Sequence, residues 1–252
     1  MKRLYEKNEI RHFLVWLAIY LGLSIVVINL GSALGVGEHE IVALPLAVLA
    51  VVMLVYFRRT SIGPEIGLGA RAAVSAPRMW FYVPLLVLVC YPLVTGVRND
   101  LTTMAVAALV LHYAASGFLE EVLFRGLLLR ALLKEGRPIW AVAISSLTFG
   151  IGHIISVLIG QSGQDTVFQI INATIVGLLF TLVVIATQNL TAVIVAHVLY
   201  NIIATLSRTG QDAALILPGF VILLVYGTWL LFGVGVLDRL RSPGVKAQPT
   251  LR

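Results

Sequence analysis

The feature of this sequence that most constrains its fold is a series of long segments without Asp, Glu, Lys or Arg. Because about 20 consecutive apolar residues cross the hydrocarbon core of a bilayer, each segment is a candidate membrane span. Composition agrees, since 59% of the residues are hydrophobic and 12% are charged, against about 25% charged residues in a soluble domain. The sequence therefore excludes a soluble globular protein and predicts an all-α, polytopic membrane helical bundle.

Seven uncharged runs give about eight predicted transmembrane helices. The run over 166–207 is long enough for two helices and is broken near its middle by Thr187-Gln188-Asn189. The run from 101 continues through several charged residues and is interpreted as one helix that ends near residue 133. The remaining runs cover 13–34, 41–57, 79–97, 138–164 and 213–237.

The distribution of basic residues supports this count. With eight spans, both termini lie on one side of the membrane, and that side holds fourteen of the 18 Lys and Arg residues. The opposite side holds Arg98 and Arg208, and the other two basic residues lie within the helix that begins at 101. A second crossing there would place the basic C-terminal tail outside. The positive-inside rule therefore predicts that both termini are cytoplasmic.

The chain is predicted to form a single membrane domain over 1–252. Gly and Pro residues in 58–78 favour a cytoplasmic loop, and 242–252 is expected to be a flexible tail. The first apolar run follows a basic N-terminus but has no small-residue cleavage pattern, so it is interpreted as a retained span and not as a signal peptide. Cys90 is the one cysteine, which excludes an internal disulfide.

The first polar group inside a predicted span is Glu120-Glu121. Ionisable residues in a membrane are costly and are functional candidates by default. Glu121 and Arg125 have the four-residue spacing of an intrahelical ion pair, which leaves Glu120 without an evident local cation. His112 and Ser116 lie on the same helical face as Glu120, so this face is a candidate lining for a polar cavity.

Two further groups lie in the fifth and seventh predicted spans. Phe149 precedes His153 by four residues, and His197 and Asn201 are one helical turn apart. A carboxylate, two imidazoles and an amide on three helices form a workable hydrolytic set. The carboxylate can take a proton from water, one histidine can orient that water, and the other histidine and the amide can donate to an oxyanion.

Each group also has a purely structural interpretation. Glu120 and Glu121 could belong to a solvated ladder of ion pairs with the arginines that follow them. A single intramembrane histidine more often makes an interhelical hydrogen bond than it catalyses a reaction. His12 and His39 lie at predicted membrane edges and are assigned no role. The joint occurrence of the three groups, more than any one of them, indicates an active site.

Together the three groups resemble the motifs of the type II CAAX prenyl endopeptidase family, also called the CAAX protease and bacteriocin-processing (CPBP, or Abi) family. The resemblance covers about 101–206, which it identifies as the catalytic core. The matching motifs are E-E-x-x-x-R at Glu120, Glu121 and Arg125, F-x-x-x-H at Phe149 and His153, and H-x-x-x-N at His197 and Asn201.

The resemblance implies an intramembrane endopeptidase that cuts a peptide bond near the cytoplasmic membrane face. Glu120 would activate a water molecule together with His153, and His197 and Asn201 would stabilise the oxyanion. The residues with supporting roles would be Glu121, Arg125 and Phe149.

The family has also been described as metalloproteases, and Glu120, His153 and His197 with a water molecule would satisfy a catalytic zinc site. However, the chain has no H-E-x-x-H motif, and a ligating Glu120 would leave Glu121, already paired, as the base. A glutamate mechanism without a cofactor is therefore favoured, with zinc as the second option.

The resemblance leaves the substrate open. A peptide or protein is expected, with a prenylated C-terminus as one option, and no nucleic acid is expected as a partner. In a prokaryote the protein would lie in the plasma membrane. The alternative is a non-catalytic membrane adaptor or bacteriocin-immunity protein of the same fold. An ion transporter is disfavoured by the scarcity of other intramembrane charges and the absence of repeated halves.

Overall fold

The computed structural model describes residues 1–69, 82–208 and 213–241, with the backbone alone over 213–218. The described residues are almost wholly helical and contain no β-strand. The helices are α1 (Lys2–Lys7), α2 (Glu9–Leu34), α3 (Glu38–Thr60), α4 (Ile62–Glu65), α5 (Val83–Cys90), α6 (Thr103–Glu121), α7 (Leu129–Lys134), α8 (Pro138–Gly152), α9 (Gly163–Thr187), α10 (Leu190–Leu206), α11 (Ala213–Thr228) and α12 (Val236–Arg241).

The described apolar helices match the predicted spans one by one, which confirms the polytopic helical fold. Five of them are long and apolar enough to cross a membrane, namely α2, α3, Thr103–Lys134, Pro138–Ile159 and α9. Three more are apolar but shorter, namely Val83–Thr95, Leu190–Leu206 and Gly219–Gly233. The side of the membrane on which the termini lie stays a prediction.

The long apolar run over 166–207 divides where the sequence predicts. Helix α9 ends at Thr187, and Gln188 turns the chain with a left-handed φ of 55°. Asn189 then caps α10, because its side chain accepts a hydrogen bond from the Ala192 backbone N–H. Asn is a favoured residue at this position, so the polar cluster both ends one helix and begins the next.

The charged run after 101 forms one continuous helical segment, as predicted. Helix α6 passes into a π-helical stretch over Val122–Leu128 and then into α7. All seven residues of this stretch are buried. Short π-helical insertions are rare and occur frequently at functional sites.

The predicted loop 58–78 begins later than expected. Helix α3 continues to Thr60, with Arg58 and Arg59 in its last turn, where cations interact favourably with the helix dipole. The short helix α4 follows, and residues 70–78 of the predicted loop lie outside the described residues. The predicted tail 242–252 also lies outside them.

Helix α6 is central to the bundle because it packs against both α3 and α10. The contact with α10 is close at Gly117, where an added Cβ would lie 2.8 Å from Val198 Cγ2. A glycine therefore allows the helix that carries the two glutamates to approach the helix that carries His197.

Candidate active site

His197 lies between the two adjacent glutamates of α6. Its Nδ1 is 2.7 Å from Glu121 Oε1, and its Nε2 is 3.7 Å from Glu120 Oε2. The two glutamate side chains leave the helix about 100° apart, and the imidazole fits into the angle between them. Because an ionised carboxylate only accepts hydrogen bonds, the Nδ1–H donates to Glu121 and leaves Nε2 directed at Glu120.

The two carboxylates differ in access to solvent. The Glu121 side chain is fully buried, whereas 16% of the Glu120 side chain is exposed. Glu121 is therefore restricted to interactions within the bundle, and Glu120 is the carboxylate that a water molecule or a substrate can reach.

Glu121 also pairs with Arg125, as its spacing predicts. The Arg125 Nη1 donates to Glu121 Oε1 at 2.9 Å, and neither side chain is exposed. A solvated ion-pair ladder is therefore wrong for these two residues. The guanidinium lies 4.1 Å from the centre of the Phe149 ring and 5.9 Å from that of Phe180. Such stacking on aromatic faces stabilises a buried cation.

Phe149 connects the second motif to the third. Its ring centre is 5.2 Å from that of His153 and 6.0 Å from that of His197, with edge-on geometry in both cases. His153 follows the last residue of α8, and its Nδ1 lies 3.1 Å from the Phe149 carbonyl oxygen. The structure thus places His153 beside Phe149, and no hydrogen bond or ion pair joins His153 to Glu120 or His197.

Asn201 lies one turn after His197 on α10 and is partly buried. Its amide makes no hydrogen bond to the described residues, so its link to the cluster is the shared face of α10. The structure therefore brings Glu120, Glu121 and His197 into contact, and Asn201 lies one helical turn beyond His197.

Sequence reasoning missed Tyr20, which belongs to α2. The Tyr20 hydroxyl donates to Glu120 Oε1 at 2.6 Å, and the tyrosine is 8% exposed. The two residues are 100 positions apart in the chain. The available signal was the spacing of Phe13, Trp16, Tyr20 and Ser24, which marks the buried face of α2 but does not identify a partner.

The two histidines that were assigned no role make interhelical contacts. His12 is fully buried, and its Nε2 lies 3.0 Å from the Tyr56 hydroxyl. His39 Nδ1 lies 2.8 Å from Nδ1 of His112, on the α6 face that also carries Glu120. Hydrogen bonds of this kind commonly connect membrane helices.

The residues named for a zinc site do not form a ligand set here. Within 1–69, 82–208 and 219–241, no group of three or more His, Cys, Asp and Glu side chains is arranged to hold a metal ion. One carboxylate oxygen of Glu120 accepts a hydrogen bond from Tyr20, and one ring nitrogen of His197 is hydrogen-bonded to Glu121. His153 makes no hydrogen bond or ion pair with Glu120 or His197.

The fold and this cluster define a class, namely integral membrane proteins with a buried carboxylate and imidazole site. The family model described as "Type II CAAX prenyl endopeptidase Rce1-like" matches residues 102–203, which hold all three motifs. This match confirms the resemblance to the type II CAAX prenyl endopeptidase family over residues 102–203. The match supports a CAAX-type intramembrane protease, and proteases of this family act on a protein or peptide. No curated protein and no solved structure matches the chain.

Proposed function

We propose that the protein is an intramembrane endopeptidase of the glutamate type, in which Glu120 is the general base. The observation that carries this proposal is the 3.7 Å separation between Glu120 Oε2 and His197 Nε2. This distance is too long for a direct hydrogen bond, and a water molecule beside the pair can reach both atoms. The partial exposure of Glu120 supports the same assignment.

The reaction begins when Glu120 Oε2 takes a proton from a water molecule. The water oxygen forms a bond to the carbonyl carbon of the scissile peptide, and the carbonyl oxygen becomes an oxyanion. The protonated Glu120 then gives its proton to the amide nitrogen, the C–N bond breaks, and the carboxylate is restored. Proton transfer of this kind contributes about 10²- to 10⁴-fold to rate.

His197 and Asn201 are the proposed donors to the oxyanion. His197 already donates from Nδ1 to Glu121, so donation from Nε2 as well requires the doubly protonated ring. Asn201 projects from the same face of α10, and its amide makes no hydrogen bond within the part of the chain that the structure describes. By the family resemblance, His153 orients the attacking water. Its Nδ1 is directed at the Phe149 carbonyl, so Nε2 is the nitrogen that would contact the water.

The test is cleavage of a peptide library by the purified protein in detergent. We expect Glu120→Gln to lower kcat/KM by about 10²- to 10⁴-fold while expression and thermal unfolding stay at wild-type values. A matched control is Glu135→Gln, which neutralises an exposed carboxylate just after α7. Wild-type turnover by Glu120→Gln would contradict the proposal.

The same assay separates the finer alternatives. Full activity in a chelator, with no zinc in the purified protein, would support the glutamate mechanism over a metal site. Peptides with and without a C-terminal prenylcysteine would show whether the lipid is recognised. Specific peptide binding without cleavage by the wild-type protein would favour the adaptor or bacteriocin-immunity alternative. The cytoplasmic site of cleavage and a plasma-membrane location stay predictions.

A further inference from the structure

Tyr20 contacts Glu120, the proposed general base, from helix α2, which lies outside the segment 102–203 that the family model matches. Its hydroxyl donates to Glu120 Oε1 at 2.6 Å, which lies in the range of a charge-assisted O–H···O⁻ hydrogen bond. The bond is partly buried, with Tyr20 8% exposed. Such hydrogen bonds are stronger than those between neutral groups.

The contact gives the two oxygens of Glu120 different surroundings. Tyr20 binds Oε1, whereas Oε2 is the oxygen that lies 3.7 Å from His197 Nε2. A carboxylate held at one oxygen cannot exchange its two oxygens by rotation without breaking that bond. The tyrosine hydroxyl therefore selects which oxygen faces the imidazole.

Helix α2 holds Tyr20 in place. Phe13, Trp16 and Tyr20 are all buried on one face of this helix, and Ser24 Oγ donates to the Tyr20 carbonyl at 2.8 Å. A phenol ring fixed by packing can position the group to which its hydroxyl is bonded, because few rotamers are open to it.

We propose that Tyr20 is a positioning residue, whose hydroxyl holds Glu120 Oε1 so that Oε2 is presented to His197 and to the attacking water. The inference rests on the proposed function of Glu120. It makes the first long helix part of the active site, although the family match covers residues 102–203 alone.

The test is the Tyr20→Phe variant, which removes the hydroxyl and keeps the ring. We expect kcat to fall about 10- to 100-fold, the effect of losing one hydrogen bond to a charged group. KM should change less than about twofold, because the buried ring is expected to stay packed and to leave ground-state binding of the substrate unaltered. A merely structural tie between α2 and α6 would not produce this separation of kcat from KM.

The matched control is Tyr56→Phe, which removes a hydroxyl that lies 3.0 Å from His12 Nε2 and does not contact Glu120. Its kcat should stay near the wild-type value. A second measurement repeats Tyr20→Phe in a Glu120→Asp background, where the carboxylate is one methylene shorter and is withdrawn from the hydroxyl. There the loss caused by Tyr20→Phe should be much smaller, because the two residues act as a unit.

The outcomes separate this inference from the function on which it rests. A wild-type kcat in Tyr20→Phe, an equal loss in Tyr56→Phe, or an undiminished loss in the Glu120→Asp background would overturn the role of Tyr20 and leave the protease intact. If the wild-type protein cleaves no peptide, the proposed function fails and the role of Tyr20 fails with it.

Discussion

Two buried histidines in this molecule, His197 and His12, have opposite electrostatic surroundings. His197 lies against two carboxylates, one of which is paired with the buried Arg125. His12 lies against the hydroxyl of Tyr56 at 3.0 Å and the indole N–H of Trp16 at 3.2 Å, both neutral groups. Since an indole N–H can only donate, the Nε2 of His12 accepts this hydrogen bond and therefore carries no proton.

The difference shows how burial alone fails to identify a site. Both rings are buried and both connect distant parts of the bundle, so burial of an imidazole does not by itself distinguish a structural histidine from a catalytic one. A cluster of charges costs much more to bury than a neutral hydrogen bond does. The presence of such a charged cluster beside the partly exposed Glu120 therefore favours a catalytic role for His197.

The largest expected effect on stability comes from breaking the charge cluster at Glu121. The Glu121→Gln variant leaves Arg125 buried without its counter-ion, which typically costs about 3–5 kcal/mol. Thermal unfolding in detergent should show a large decrease of the midpoint. The double variant Glu121→Gln with Arg125→Met should recover most of that loss, because it removes the unpaired charge as well. An unchanged midpoint in the single variant would mean that the pair is not buried as described.

A smaller effect is expected at Gly177, which gives Arg125 and Phe149 room to stack. A Cβ there would lie 2.9 Å from Arg125 Nη2 and 2.9 Å from Phe149 Cδ1. Gly177→Ala should therefore destabilise the protein by about 1–3 kcal/mol, as overpacking does, and should also lower cleavage by displacing Phe149. Gly22→Ala on α2 is the matched control, because among the described residues no atom outside the local backbone of α2 lies within 4 Å of its Cβ position. Equal unfolding midpoints for the two alanine variants would contradict this packing.

Much of the fold follows from the sequence because membrane spans are local features. The break at Thr187-Gln188-Asn189 was predictable from polarity and helix-capping preference, and the pair between Glu121 and Arg125 was predictable from helical spacing. The π-helical stretch over Val122–Leu128 was not. Its seven residues carry no recognised sequence signal for a π-helix, and all of them are buried in the bundle.

The contacts between helices were also beyond sequence reasoning. The angle between Glu120 and Glu121 on their helix appeared to separate their roles, whereas His197 on a neighbouring helix touches one and faces the other. Tyr20 carries no sequence signal for its bond to Glu120, because a tyrosine on a buried helical face looks the same whether it packs or donates. Such pairings depend on how helices far apart in the chain are placed against each other.

The most direct test of the account compares His197→Gln with His12→Gln in the same peptide-cleavage assay, at equal amounts of folded protein. His12→Gln should cost about 1–2 kcal/mol of stability through disturbed hydrogen bonds and should keep kcat within about twofold of wild type. His197→Gln should lower kcat by about 100-fold or more, as loss of an oxyanion donor does. Equal effects of the two substitutions on kcat would contradict the assignment of the charged cluster as the site of hydrolysis.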